Sequence, residues 1–343
     1  LGSQVIGGDY YGQNGFQSYF GRLNYSFKDR YLLSATLRSD ALSSLSPGNQ
    51  RGFFPGGSIG WRVSEEDFFK NSGVASVITD LKLRGSYARV GNSSLNSFFP
   101  YSGVYSAAQY ASQSGIAYSQ FGNDKLRWET SKKEDYGIDV GLFDGRIVFT
   151  ADYYRNFNDG LILAVPTPYS FGVPNNSYNS NVGSIWNKGL ELSVTTQNVR
   201  NNKFTWSTSF NFSSNANQVT QLANGVPYIL GTYLTNAYTI TQVGSSISTL
   251  WGYDYQGVNR ANGNPIYKRP DGTLIQGNIA TATYLSYDPA NPGATGTAVA
   301  ALSSSDKILL GQTNPKVYGG FDNTFTYAGF DLDIFLRYNF GNS

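Results

Sequence analysis

The sequence predicts an all-β fold: a portion of a transmembrane antiparallel β-barrel with short periplasmic turns and long extracellular loops. Three observations predict it. Apolar and polar residues alternate with a period of two through ten segments. The connections between those segments switch between tight turns and long loops rich in Gly, Ser, Asn and Tyr. The composition is aromatic and poor in charge: 15% aromatic and 14% charged, against roughly 25% charged in a typical soluble domain.

Composition also excludes several classes of function. The chain has 343 residues and a formal charge of +2, too little for a nucleic-acid partner. It has no Cys, so disulfide scaffolds and zinc ribbons are out. It has no His, which removes the Ser-His-Asp triad, His metal ligands and the commonest general base. No run of about 18 apolar residues is present, so no membrane helix is predicted. A closed barrel would still satisfy every backbone group in lipid. The opening LGSQVIGGDYYG lacks the basic and apolar regions of a signal peptide.

The elements follow in order. NYSFKDRYLLSATLRSDA (24–41) is a hairpin around Lys28-Asp29-Arg30, with Tyr25, Phe27, Tyr31, Leu33, Ala35 and Leu37 on one alternation. Strands are expected at 17–27, 30–41, 56–64, 80–91, 128–143, 146–158, 186–199, 203–214, 316–327 and 329–340. Short turns are expected at 28–30, 144–145, 200–202 and 327–329, a middle-length link at 65–79, and long links at 42–55, 92–127, 159–185 and 215–315. A strand of about ten residues rises roughly 33 Å and, tilted ~45°, spans about 23 Å. That suits an apolar band of about 25 Å.

Charge placement agrees with one lipid face and one wet face. On the apolar parity the charges are Arg89, Lys132, Glu134, Arg155 and Lys188, all toward the long-loop ends. A lipid-facing Arg or Lys at mid-depth would cost about 2–4 kcal/mol. The polar parity carries charge freely, and its lumen-facing candidates include Arg22, Arg38, Arg84, Asp139, Asp152, Glu191, Asp331, Asp333 and Arg337, with Lys82, Asp135 and Asp322 beside them. Tyr19, Phe27, Tyr31, Phe143, Tyr153, Phe325 and Tyr327 are expected in the interfacial girdles.

Three motifs invite a chemical reading and support only a structural one. In SEEDFF (64–69), Ser64 precedes Asp67 by three residues, which predicts a capping box and a short helix rather than a metal site. FPGGSIG (54–60) precedes a strand, so its glycines predict a bend or a close backbone approach rather than a phosphate loop. RPDGT (269–273) predicts a turn, since Asp271 is its one acidic residue. No catalytic residue, metal ligand or cofactor site is nominated. The long loops are crowded with aromatics, and Tyr101, Tyr105, Tyr110, Trp128, Tyr169, Tyr178 and Trp186 are candidates for contact with a substrate. Aromatic faces stack on sugar rings and also serve peptides. Packing of one loop on another is an equal alternative for each residue.

Several blocks together resemble the SusC/RagA family of TonB-dependent outer-membrane transporters. They are RGFFPGGSIGWRVSEEDFF (51–69), LKLRGSYARVGN (81–92), ETSKKEDYGIDVGLFDGRIVFTADYYRNFNDGLI (129–162), NVGSIWNKGLELSV (181–194), WGYDYQGV (251–258) and LLGQTNPKVYGGFDNTFTYAGFDLDIFLRYNFGN (309–342). The resemblance implies a 22-stranded barrel with an N-terminal plug. It implies energy from TonB, a SusD-like lipoprotein lid and a bacterial outer-membrane location. It also allows a homodimer of transporter–lipoprotein pairs. On this reading residues 1–343 are about ten strands of one barrel domain, the later portion of a longer protein whose plug lies elsewhere. The function implied is active import of an oligosaccharide or peptide. The alternatives are a barrel acting as scaffold, secretion accessory or passive porin, and a soluble glycan-active β enzyme. The last would need two carboxylates at catalytic separation, and no motif supplies them.

Overall fold

The computed structural model describes residues 13–92, 99–111, 113–234 and 237–342. In chain order the first strands are β1 (Phe16–Phe27), β2 (Tyr31–Leu42), β3 (Arg51–Arg62), β4 (Ile78–Asn92), β5 (Val104–Tyr110), β6 (Gln113–Gln120), β7 (Glu129–Leu142), β8 (Ile147–Pro166), β9 (Ser177–Arg200) and β10 (Phe204–Gln221). Then come β11 (Tyr228–Leu234), β12 (Ala237–Gln242), β13 (Thr249–Val258), β14 (Pro265–Lys268), β15 (Leu274–Asn278), β16 (Thr283–Ser286), β17 (Ala298–Val299), β18 (Lys307–Gln312), β19 (Val317–Tyr327) and β20 (Phe330–Phe340). The described residues fall into two compact units, one within Leu1–Val226 and Val317–Tyr338, the other within Pro227–Lys316 and Asn339–Ser343.

The first unit is built on a ten-stranded sheet in the order β1-β2-β3-β4-β7-β8-β9-β10-β19-β20. These are the ten strands read from the sequence, in the predicted order. Every pairing with a recorded register is antiparallel. The register sorts the side chains by face. Phe27, Tyr31, Trp61, Leu83, Ile138, Ala151, Leu192 and Phe212 are successive partners along one row. The neighbouring parity holds Arg84, Gly137, Asp152, Glu191 and Ser213 in a row of its own. The apolar face is exposed rather than packed: Ile59 is 65% exposed, Tyr136 56% and Leu332 57%. An apolar surface this extensive marks a contact with something other than water. Lipid fits it, because the opposite face carries the charge.

The tight turns form where predicted. Lys28 and Asp29 both adopt left-handed backbone, φ 53° and 52°. They are the two central residues of a turn closed by the Arg30 amide on the Phe27 carbonyl at 3.1 Å, inside a three-residue connection between Phe27 and Tyr31. The third strand ends at Arg62 rather than 64, and the link after it opens with a 3₁₀ turn at Val63–Glu65 and α1 (Asp67–Lys70). The capping-box expectation is corrected there. Glu66 occupies the N-cap with no side-chain cap bond. Ser64 instead donates its hydroxyl to Asp80 Oδ1 at 3.1 Å. A capping box does form at Ser303 and Asp306.

The long links hold more structure than predicted. β8 and β9 continue as a paired ribbon out to Pro166 and Ser177. The strand expected to end at 158 continues: Gly160 (φ 66°) sits in a break of register between Asp159 and Leu161, and pairing goes on beyond it. Residues 99–128 contain the β5–β6 hairpin. The segment 215–315 was expected as one long loop. It holds the second unit, an eight-stranded sheet of β11 to β18. Its core is Tyr267, Ile275 and Tyr284, with Tyr253, Val299 and Leu302 against it. The predicted 269–273 turn closes β14 onto β15, with Gly272 at φ 88° and Asp271 accepting from the Thr273 amide at 2.9 Å.

Candidate functional site

The polar face of the first unit carries an ionic cluster around Arg84. Cross-strand register sets Ser86 opposite Asp135 and Lys82 opposite Asp139, and Arg84 lies between those two rows. Arg84 Nε donates to Asp139 Oδ2 at 3.2 Å, Nη1 to Asp135 Oδ1 at 3.3 Å and Nη2 to Asp152 Oδ2 at 2.6 Å. Asp139 also accepts from Thr150 at 3.3 Å and lies 4.0 Å from Lys82 Nζ. Gly137 permits this arrangement. A Cβ there would collide with the Asp152 carboxylate and stand 2.5 Å from Arg84 Cζ. The guanidinium therefore crosses the sheet through the gap left by Gly137. Glu191 faces Asp152 directly in register. Four carboxylates, Asp135, Asp139, Asp152 and Glu191, thus meet two cations, Lys82 and Arg84, and the wall here is acidic.

The other predicted wall charges are placed individually. Arg38 Nε donates to Asp40 Oδ2 at 2.6 Å, and Ser18 bonds the other oxygen of Asp40 at 2.6 Å. Arg22 donates to Asn24 at 3.2 Å, and Thr326 to Asp331 at 2.7 Å. Asp333 lies against Asp322. Arg337 shows no ion pair among the described residues and is exposed on β20.

Toward the long-loop end, the same face holds a cavity of about 670 Å³. Its lining includes Phe16, Arg38, Asp40, Phe54, Ala88 and Trp128. Gly56 keeps its floor low, since a Cβ there would already touch the Ala88 Cβ at 3.4 Å. The close approach read from FPGGSIG is present, but residues 54–60 lie inside β3 rather than ahead of a strand. Phe54 and Trp128 of the cavity lining belong to a buried cluster with Leu42, Leu45 and Leu126, on which Tyr101 and Ile162 pack. Side chains at Gly52 and Gly91 would overlap the Phe54 ring, so both glycines make room for it.

The loop aromatics divide. Trp128 is a packing residue: it is 9% exposed, meets Phe54 edge-on at 5.3 Å and donates to the Gln50 carbonyl at 2.9 Å. Tyr101 packs on the same cluster. Trp186 donates to Gln218 at 3.1 Å, carries Lys188 Nζ 4.8 Å from its ring centroid, and shares the outer parity with Phe157. Tyr105 and Tyr178 are brought together through two rings that sequence reasoning did not single out. Tyr105 and Tyr118 lie 4.2 Å apart, Tyr118 and Phe121 5.9 Å, and Phe121 and Tyr178 5.7 Å. Cross-strand pairing of Tyr105 with Tyr118 was the missed signal, and it needed the β5–β6 register. Tyr169 is 86% exposed. Tyr110 ends β5, and its side chain lies outside the described residues.

At the turn end, Glu66 explains the SEEDFF motif. Its carboxylate accepts from Tyr31 Oη at 2.6 Å, Trp61 Nε1 at 3.0 Å and Arg30 Nη1 at 3.0 Å. The bonds from Tyr31 and Trp61, with the Arg30 charge, hold this carboxyl below its usual value. The link thereby fixes two rings of the aromatic girdle. Of the other predicted girdle residues, Tyr19, Phe27, Phe143, Tyr153 and Tyr327 are exposed, whereas Phe325 is half-buried against Trp206 at 5.6 Å.

An exposed apolar face, a charged opposite face and an aromatic rim define the wall of an outer-membrane β-barrel. The family described as TonB dependent receptor-like, beta-barrel matches residues 1–343, and the chain belongs to that family. TonB-dependent receptor P3 of Formosa agariphila is 35% identical over 94% of this chain and 32% of its own length. TonB-dependent receptor SusC of Bacteroides thetaiotaomicron is 29% identical over 96% of this chain and 32% of its own length. The solved structure of the RagAB peptide importer in its closed-closed state superposes with a TM-score of 0.77 at 23% identity, covering 95% of this chain and 33% of that one. The chain thus spans about a third of the length of these relatives.

Proposed function

We propose that this chain supplies barrel wall and extracellular loops to a TonB-dependent importer of a bulky oligosaccharide or peptide, with a SusD-like lipoprotein as lid. The observation that carries the proposal is the cavity of about 670 Å³ on the charged face, lined in part by Phe54 and Trp128 of the buried loop cluster. It lies within the usual range for ligand sites, roughly 300–1,000 Å³. Arg38, held by Asp40 through Nε, offers its remaining donors there, and the Tyr105–Tyr118–Phe121–Tyr178 row offers ring faces in the loops. Support comes from sequence similarity to a receptor named SusC and from fold similarity to a peptide importer. The sheet ends at β1 and β20, and strand edges in lipid need partners. The remaining strands of the longer protein fill that role. TonB acts through the plug that the family resemblance implies, and the wall residues perform no bond chemistry.

The test is uptake by cells carrying the full-length protein, offered oligosaccharides or peptides as the limiting nutrient. The expected result is uptake that disappears when the plug is deleted, and that needs more substrate for half-saturation in Tyr105→Ala and Tyr118→Ala. Uptake that persists without the plug would identify a passive porin. No uptake of any offered nutrient would favour a scaffold.

A further inference from the structure

The outer face of the wall carries a groove of about 690 Å³ lined by Tyr25, Leu33, Ile59, Trp61, Leu83 and Tyr136. All six lie on the apolar parity. Gly85 forms the floor, in register between Ile59 and Tyr136. The groove exists because that one position lacks a side chain in a row of large ones. Its depth in the membrane follows from the turns. Tyr31 begins β2 directly after the 28–30 turn, and Trp61 is the penultimate residue of β3. The groove therefore sits in the leaflet on the short-turn side.

Its rim is rigid and ends in a cation. Tyr31 and Trp61 are both bonded to Glu66. Phe27 stacks on Tyr31 with centroids 6.4 Å apart, and Lys28 Nζ stands 5.4 Å from the Phe27 centroid. Arg30, two residues on, is tied to Glu66 and Asp67. Lys28 makes no ion pair among the described residues. The turn thus offers one uncommitted positive charge at the mouth of an apolar groove.

We propose that this groove binds an anionic glycerophospholipid of the turn-side leaflet, one acyl chain lying over Gly85 and the phosphate meeting Lys28. An empty groove would leave its lining without contacts on one side, so an acyl chain is drawn in. A saccharide would leave hydroxyls unpaired against these rings. The ammonium selects an anionic headgroup, and fixed aromatics at headgroup level limit the chain's sideways escape. The inference rests on the wall facing lipid and not on import, so a protein without transport activity would still show it.

The test is native mass spectrometry of the full-length protein in mild detergent, after equilibration with vesicles of equimolar phosphatidylglycerol and phosphatidylethanolamine. Two variants accompany the wild type. Gly85→Val fills the groove; a Cβ at Gly85 meets Tyr136 Cδ1 at 3.6 Å and Ile59 Cγ1 at 3.8 Å, ordinary contact distances, so the side chain enters the strand without a clash at Cβ. Lys28→Asn removes the charge, and Asn accepts the left-handed φ of 53° found there. The wild type is expected to retain phosphatidylglycerol in preference to phosphatidylethanolamine. Gly85→Val is expected to lose both. Lys28→Asn is expected to lose the preference about fivefold, the effect of one basic residue at an anionic surface. A wild type without retained lipid, equal retention of the two lipids, unchanged retention in either variant, or a second copy of the protein in place of lipid would each overturn the proposal.

Discussion

Replacing Arg84 by Met removes the cation on which three wall carboxylates converge. Arg84 bonds Asp152 at 2.6 Å, Asp139 at 3.2 Å and Asp135 at 3.3 Å. Hydrogen bonds to charged groups contribute about 1.5–3 kcal/mol each when well shielded. The side chains here are not all shielded: Arg84 is 29% exposed, Asp135 38% and Asp152 17%. The Asp135 contact is screened to a few tenths of a kcal/mol, as at a surface. The Asp152 and Asp139 contacts keep part of their value, and the sum is about 2–4 kcal/mol. The carboxylates left behind also repel one another, with Glu191 opposite Asp152. Replacing Asp152 by Asn in the same protein relieves that repulsion. The assay is unfolding of the full-length barrel in lipid vesicles by denaturant, read by tryptophan fluorescence, for both single variants and the double variant. The cycle should give a coupling of about 1–2 kcal/mol, with the double variant more stable than Arg84→Met alone. A change below about 0.5 kcal/mol for Arg84→Met, or no coupling with Asp152, would refute the ionic-hub reasoning.

Three further outcomes follow from the same geometry. Gly137→Val should displace the guanidinium and destabilise to a similar degree, yet add little on top of Arg84→Met, which the same unfolding assay reads. Leu126, fully buried in the loop cluster, should lose about 2–4 kcal/mol of local stability on change to Ala, seen as faster protease clipping within 99–128. The Glu66 carboxyl has a folded pKa below its unfolded one, so the stability it contributes is present above the unfolded value, near pH 4.3, and is lost as pH falls through the folded value. Glu66→Gln should flatten that acid dependence of the girdle, followed by quenching of Trp61 fluorescence between about pH 5 and 2.

Much of the wall was legible because lipid imposes a simple rule on it. In β8, Ile147, Phe149, Ala151 and Tyr153 must face one way and Thr150 and Asp152 the other, so alternation alone gives strand, register parity and face. That rule fades beyond the apolar band. β8 and β9 run on past Gly160 with mixed character, and the sequence there reads as loop. The 227–316 unit was missed for a related reason: many of its strands are short, such as Pro265–Lys268 and Thr283–Ser286, and separated by Asn-, Gly- and Pro-rich turns. Its core tyrosines Tyr267 and Tyr284 look the same in sequence as exposed loop tyrosines. The aromatic candidates show the same limit. Composition finds the rings, but only register and packing separate Trp128, spent on Phe54, from the Tyr105–Tyr178 row. Gly137 gave no signal, because its role depends on a side chain from a neighbouring strand.

The central claim is that one face of this wall meets lipid and the other water. Residues 1–343 contain no Cys, so a single cysteine introduced here is the one label site in this segment, with any cysteine elsewhere in the full-length protein changed to Ser. The measurement is spin-label accessibility along β8 in the full-length protein reconstituted in vesicles, one residue at a time from Val148 to Tyr154. The account predicts a period of two: oxygen, which concentrates in lipid, reaches positions 149, 151 and 153, and a water-soluble nickel chelate reaches 148, 150, 152 and 154. Uniform accessibility to the chelate on both parities would contradict it, and would return the apolar face to a role in protein–protein packing.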